Sequence, residues 1–244
     1  MSGLRTLAEA LGARRVPYLE TTSEQVGWHD AALNSPDAII DQIDAVLGIE
    51  LVFPNPYPGE IGLQSKRGIV GFRSIQAIYQ AWRIAEIAKR DPGFRVLEIG
   101  AGLGRTAYFA NLFGIKDYSI VDIPLTNAAQ GYFLGRTLGD QAVQLTGEEI
   151  IGDVRANIIL ATNLLKSDKH FDLIVNIDSW TEMSHETAMS YWDYAKTHTR
   201  QILSINHEHN PFTVRSLYET DPSVTATRFP YWMRRGYIEE FLAW

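Results

Sequence analysis

The sequence predicts an α/β fold: a mostly parallel sheet with helices on both faces, an antiparallel C-terminal hairpin, and a helical segment ahead of the sheet. Two observations predict it. From residue 94 onward, short apolar strands alternate with stretches of helical periodicity, the rhythm of successive β-α-β crossovers. The first of those strands also runs directly into a glycine-rich loop that opens a helix, Val96-Leu97-Glu98-Ile99-Gly100-Ala101-Gly102-Leu103-Gly104.

Taken in order, the first clear helix is Ser35 to Leu47. Ser35 suits the cap, Pro36 the first turn and Gly48 the end, with Ile39, Ile43, Val46 and Leu47 as the apolar stripe. Phe53-Pro54-Asn55-Pro56-Tyr57-Pro58-Gly59 excludes both helix and central strand and marks a loop. A long helix follows, Phe72 to Arg90, stopped by Asp91-Pro92-Gly93. Strands are predicted at Phe94 to Ile99, Tyr118 to Ile123, Asn157 to Ala161, Asp172 to Ile177 and Gln201 to Asn206. Helices are predicted at Arg105 to Phe113, Pro124 to Leu138 and His185 to Thr197. Ser223 to Trp232 and Tyr237 to Trp244 read as two strands around a turn at Arg234-Arg235-Gly236, an antiparallel hairpin at the sheet edge.

A chain of 244 residues has room for one sizeable α/β domain and a small appendage. The division expected is an N-terminal helical cap with its proline-rich loop, residues 1–70, and a main domain, residues 71–244. Hydrophobic residues at 45% and charged residues at 21% make a packed core the expectation. There are no cysteines, so disulfides, thiolate nucleophiles and cysteine-held zinc are excluded. A net charge of −7 disfavours a protein that wraps nucleic-acid phosphates. The N-terminus, which mixes Leu4, Leu7 and Leu11 with Arg5, Arg14 and Arg15, lacks the apolar core of a signal peptide, and no stretch approaches a bilayer span. A cytoplasmic protein without membrane or nucleic-acid partners is expected.

Gly100, Gly102 and Gly104 permit a tight turn and a close backbone approach to a ligand, and the helix N-terminus beyond them favours a carboxylate or phosphate. So far a dinucleotide and S-adenosylmethionine are equally served. Two residues separate them. The dinucleotide fingerprint needs glycine where Arg105 stands. Glu98 faces the crevice, where it would repel a pyrophosphate and suit an ammonium and a sulfonium. Asp122, 18 residues after Gly104 at the end of the second strand, is placed to accept from both ribose hydroxyls.

Glu98 through Gly104, followed by Asp122, resembles the first two motifs of Rossmann-like class I S-adenosylmethionine-dependent methyltransferases, over roughly residues 70 to 244. More narrowly, Val121-Asp122-Ile123-Pro124, Asn176 with Ser179, Glu182 and Met183, and Trp232-Met233-Arg234-Arg235-Gly236-Tyr237 resemble bacterial sugar O-methyltransferases. Mycobacterial enzymes acting on methylmannose polysaccharide precursors are one niche within that group. The resemblance implies S-adenosylmethionine as cofactor and a carbohydrate hydroxyl as acceptor. It also implies a cofactor-binding set of Glu98, Gly100, Ala101, Gly102, Asp122, Ile123, Thr162, Asn163 and Asn176, with Asn163 and Thr162 near the adenine amino group. A phenol or lipid acceptor, and a binding module without turnover, stay open as alternatives. Base methylation is disfavoured, because Asn176-Ile177-Asp178-Ser179 lacks a Pro-Pro-aromatic platform.

An alcohol needs a base or a metal to become a nucleophile. Asp178 is the first expectation for the base, with His207 second and Glu182 beside them on the same sheet edge. Asp178 with Asn206 or Glu208 would alternatively hold a divalent cation such as Mg2+ through oxygen ligands. Trp180, Tyr231 and Trp232 are candidates for stacking on a sugar ring, with two of the three expected in the core. Lys66, Arg67 and Arg73 read as a solvated face ahead of a second account in which they reach the cofactor carboxylate or an acidic substrate, and Arg234-Arg235 as turn chemistry or an intersubunit contact. A homodimer is expected by analogy with capped enzymes of this size, with no particular residue carrying the expectation.

Overall fold

Strand alternation sorts the apolar residues onto two faces, and the computed structural model shows both faces covered. It describes residues 1–14, 34–89, 91, 93–149 and 152–244. Residues 15–33 of the expected cap, and Arg90 and Pro92 at the predicted helix end, lie outside the described residues.

In chain order the elements are α1 (Ser2–Ala10), α2 (Pro36–Leu47), β1 (Gly62–Ser65), β2 (Gly68–Gly71), α3 (Phe72–Ile87), β3 (Arg95–Ile99), α4 (Arg105–Leu112), β4 (Asp117–Asp122), α5 (Pro124–Leu138), β5 (Val143–Leu145), β6 (Ala156–Leu160), α6 (Ala161–Leu164), β7 (Leu173–Ile177), α7 (His185–His198), β8 (Gln201–His207), α8 (Arg215–Tyr218), β9 (Thr225–Pro230) and β10 (Tyr237–Ala243). The main sheet has eight strands in the order β5-β6-β4-β3-β7-β8-β10-β9, and β1 and β2 form a separate hairpin. Strands from β5 to β8 pair in parallel; β10 runs antiparallel to both β8 and β9. The predicted fold class is therefore present. The C-terminal hairpin enters with β10 against the parallel strands and β9 as the edge.

The local causes are those the sequence advertises. Ser35 accepts a hydrogen bond from the Ala38 N–H at 3.1 Å and Pro36 occupies the first turn of α2, while Gly48 ends it at φ 69°. Ser184 caps α7 in the same way through Thr187. On one face of the sheet Val96, Tyr118, Ile120, Val175 and Ile205 pack with α1 to α4. On the other, Leu97, Ile99, Val121, Ile174 and Ile202 pack under α7 and α8. Leu4, Leu7, Ile39 and Ile43 of the N-terminal helices share the first of these cores with Ile78 and Phe109.

Some boundaries differ from expectation. The long helix ends at Ile87, short of Arg90, and the strand expected from Asn157 runs from Ala156 to Leu160, with Ala161 opening a helical turn. Helix α1, the β1–β2 hairpin and β5 were not expected. The hairpin is four residues per strand around two turn residues and β5 is three, too short for periodicity to register. No described helix is long and apolar enough to cross a membrane.

Candidate functional site

The chain leaves β3 toward β4 on one side and later returns to β7 on the other, so the strand order reverses beside β3. Open α/β sheets bind ligands at such a point, beyond the carboxyl ends of the strands. A cavity of about 310 Å³ lies there, lined by the Gly100–Leu103 loop, by Arg73, Gln76 and Gln80 of α3, by Glu98, Arg105 and Thr106, and by Ile177, Asp178 and Glu182 beyond β7.

The loop is shaped by neighbours as much as by its own sequence. Gly100 has φ 76°, and a Cβ there would stand 2.3 Å from Ser179 Oγ. Ser179 is in turn fixed at 2.9 Å on the Ile99 carbonyl. Gly104, at φ 80°, turns the chain into α4 against Leu134. Arg105, the first residue of α4, pairs with Glu60 at 3.1 Å, which ties the loop before β1 across the start of that helix.

Glu98 is buried on the α3–α4 side of β3 and accepts from the Tyr118 hydroxyl at 2.9 Å. Burial pushes its carboxyl up to about 7; the Tyr118 bond opposes this and the Asp122 charge adds to it. Asp122 closes β4. Its Oδ1 accepts from the Ile123 N–H at 2.8 Å, and its Oδ2 from the Gly102 N–H at 3.2 Å and from Gln130 Nε2 at 3.0 Å. Burial raises the Asp122 carboxyl, and those three donors partly offset it. Because Asp122 pairs in register with Leu160, the exposed Thr162 and Asn163 at the head of α6 stand next along the same edge. Ile123 is also exposed there.

Asn176 requires a correction. It is fully buried, and every polar atom of its side chain is used. Nδ2 donates to the Ile99 carbonyl at 3.0 Å and Ser179 Oγ at 2.7 Å; Oδ1 accepts from the Trp180 N–H at 3.2 Å and Asn206 Nδ2 at 2.8 Å. It braces the strand ends and offers no atom to a cofactor.

The three base candidates stand in different surroundings. Asp178, at φ 54°, accepts at Oδ2 from Arg234 at 2.8 Å and Arg73 at 3.2 Å, and at Oδ1 from the Tyr237 hydroxyl at 2.6 Å. Burial opposes its charge, but Tyr237, Arg73 and Arg234 together hold its carboxyl below the usual range. That corrects the first choice: a carboxylate so stabilised is a weak base. His207 Nδ1 accepts from the His209 N–H at 3.1 Å, which puts the proton of a neutral ring on Nε2, against Gly236. Glu182 lines the cavity with no side-chain hydrogen bond among the described residues, and burial and the Asp178 charge raise its carboxyl.

The expected Mg2+ ligands do not come together. The Asp178 oxygens hold two guanidiniums and a phenol, Glu208 pairs with Arg228 at 3.2 Å, and Asn206 Oδ1 accepts from the Ser179 N–H at 3.2 Å. Among the described residues, no group of three or more potential ligand side chains forms a metal site. This donor set does not fit a shared cation.

Arg234 is an Asp178 partner, not turn chemistry alone, and so is Arg73. Trp180 and Tyr231 are core residues; Trp232 is 53% exposed. Sequence reasoning missed Gln76, Gln80 and Gln130. All three are buried amides interrupting the apolar faces of α3 and α5, and that interruption is the signal that would have found them. Gln76 Nε2 has no hydrogen-bond partner among the described residues, although it is buried at the cavity wall.

No protein-family model matches the chain, and no curated protein matches it in sequence. Solved structures do. A glycopeptide N-methyltransferase superposes with a TM-score of 0.51 at 14% identity, over 68% of this chain and 95% of that one. Magnesium protoporphyrin IX methyltransferase from Synechocystis PCC 6803, solved with S-adenosylmethionine bound, gives 0.49 at 15% identity, over 72% and 84%. The first likeness, with the sheet order, defines the fold as the Rossmann-like fold of class I methyltransferases.

Proposed function

We propose that this protein binds S-adenosylmethionine and transfers its methyl group to a hydroxyl of a sugar or oligosaccharide. The observation that carries the cofactor reading is the pair Glu98 and Asp122. Glu98, next to the end of β3, lines the cavity, and Asp122 ends the adjacent β4 with its carboxylate on the Gly102 N–H, a pair that favours a cationic amino acid and a ribose diol over a pyrophosphate. The buried Gln76 amide, which lines the cavity and whose Nε2 has no hydrogen-bond partner among the described residues, fits the same ligand as a donor for its carboxylate. The carbohydrate acceptor is supported by the sequence resemblance at Val121 to Pro124 and Trp232 to Tyr237.

When bound, the cofactor supplies a methyl group on a sulfonium, a good leaving group. The protein's tasks are alignment and proton removal. Arg73, Arg234 and Tyr237 hold Asp178 as a fixed anion at the cavity mouth. Glu182, without a side-chain hydrogen bond among the described residues and with a raised carboxyl, would take the proton of the acceptor hydroxyl as its oxygen accepts the methyl group from the sulfonium, whose sulfur would leave as the neutral thioether. Isothermal titration with S-adenosylhomocysteine and with NAD tests the cofactor; preference for NAD overturns the reading. A methyl-acceptor screen across sugars and phenols tests the acceptor, with transfer to sugars expected and transfer to phenols alone overturning that part.

A further inference from the structure

Asp122 and the glycine loop both rest on a side chain that lies outside either motif. Gln130, on α5, is fully buried, and its Nε2 donates to two partners at once: the Gly102 carbonyl at 2.8 Å and Asp122 Oδ2 at 3.0 Å. The Gly102 N–H donates to the same Asp122 oxygen at 3.2 Å. Loop backbone, strand-end carboxylate and helix amide therefore close a ring. Gln130 Oε1, meanwhile, has no hydrogen-bond partner among the described residues. An unpaired buried amide oxygen is unfavourable, and an apolar side chain would suit this face of α5, beside Phe133 and Leu134, better. What the amide gains at this one position is a pair of hydrogen bonds, one to the loop and one to the carboxylate.

We propose that Gln130 is a positioning residue that holds Asp122 and the Gly100–Gly104 loop in the arrangement in which Asp122 accepts hydrogen bonds from a ribose diol. The proposal rests on the S-adenosylmethionine reading above. Without the amide, Asp122 keeps only backbone donors, and the Gly102 carbonyl loses its side-chain tie to α5. The Gly102 N–H is then the one remaining tie between loop and carboxylate among the described residues, and the diol meets a site that must be ordered further on binding.

The test titrates S-adenosylhomocysteine and its 2′-deoxy and 3′-deoxy analogues into the wild-type protein, Gln130→Met and Gln130→Glu, with melting temperatures recorded alongside. Gln130→Met removes the donor at similar volume; Gln130→Glu keeps the shape and replaces the donor with an acceptor. In the wild type, removing a ribose hydroxyl weakens binding. In both variants, affinity for S-adenosylhomocysteine is expected to fall about tenfold, equivalent to roughly 1.4 kcal/mol, and the penalty for a missing hydroxyl to shrink toward none. Equal losses for the parent and deoxy ligands would reduce Gln130 to a packing residue and overturn the proposal, as would unchanged affinity in both variants. If the wild type fails to bind S-adenosylhomocysteine, the cofactor reading falls and this proposal with it. A wild type that binds, with variants that behave identically, sinks the positioning role alone.

Discussion

Tyr237 donates its hydroxyl to Asp178 Oδ1 at 2.6 Å, from the first residue of the C-terminal strand to the turn beyond β7. Arg234, three residues earlier, holds the other oxygen at 2.8 Å. The C-terminal hairpin is thereby coupled to the cavity, and its donors hold Asp178 as an anion whose charge bears on Glu182.

That coupling gives a kinetic prediction with a definite sign. The Asp178 charge helps raise the Glu182 carboxyl, and Arg73 and Arg234 lower it. Asp178→Asn removes the anion and leaves both guanidiniums, so Glu182 titrates at lower pH and the acid limb of the kcat profile moves down. Glu182→Gln removes the proposed base and should reduce kcat by about 100-fold or more, with little change in cofactor KM. Equal loss of activity in the two variants, with no movement of the acid limb in Asp178→Asn, would return the base role to Asp178.

Glu98 trades stability for ligand binding. Its carboxyl is pushed by burial from an ordinary 4.5 to about 7, so the folded state retains a proton that the unfolded chain has released. The stability it contributes is full below the unfolded value and is lost as pH rises to about 7. Glu98→Gln keeps an acceptor for Tyr118 and removes the buried charge. At pH 8 the variant should be more stable by on the order of 3 kcal/mol in urea unfolding, and near pH 4 no more stable than the wild type. S-adenosylhomocysteine affinity should fall sharply in the variant. In the wild type, affinity should weaken as pH drops below about 7, where the ammonium loses its counter-charge.

Gly100 is required twice over, by its φ of 76° and by Ser179, whose Oγ and Cβ would lie 2.3 and 2.5 Å from an added methyl. Gly100→Ala should cost about 3 kcal/mol of stability, from overpacking and from a left-handed backbone. Ser179→Gly relieves the collision but not the backbone term, and it gives up the Ser179 bonds to Ile99 and Asn176, so Gly100→Ala should cost less when introduced into Ser179→Gly than into the wild type. An equal cost in the two backgrounds would show that Ser179 is not the obstacle, and no cost in Ser179→Gly that the backbone conformation carries no penalty.

The alternation of strands and helices and the glycine loop were legible in the sequence because both are local patterns: period two against period 3.6, and glycines where φ is positive. Glu98 and Asp122 were legible because their places at strand ends follow from those patterns. The role of Asp178 was not. Its partners Arg73, Arg234 and Tyr237 lie 105, 56 and 59 residues away, and only the closed sheet brings them together. Asn176 misled for the same reason: an asparagine at a strand end looks like a ligand until Asn206 and Ser179 are seen to take up its amide.

The edge of the sheet offers a last test, independent of any ligand. Glu240 of β10 is buried, and Arg228 of the neighbouring β9 donates to it at 2.6 Å while Tyr218 of α8 donates at 2.7 Å. Burial raises the Glu240 carboxyl, and these two donors oppose that. Arg228→Met leaves a buried carboxylate without its counter-ion and should cost about 3 kcal/mol near neutral pH. The deficit relative to wild type should narrow as pH falls and Glu240 takes up a proton, since a neutral carboxyl needs no guanidinium. Arg228→Met with Glu240→Met should regain most of the stability, because two apolar side chains of similar length pack where the ion pair stood. A single variant as stable as wild type at pH 7.5 in urea unfolding would mean that solvent reaches Glu240 and that the Arg228 ion pair does not hold the hairpin.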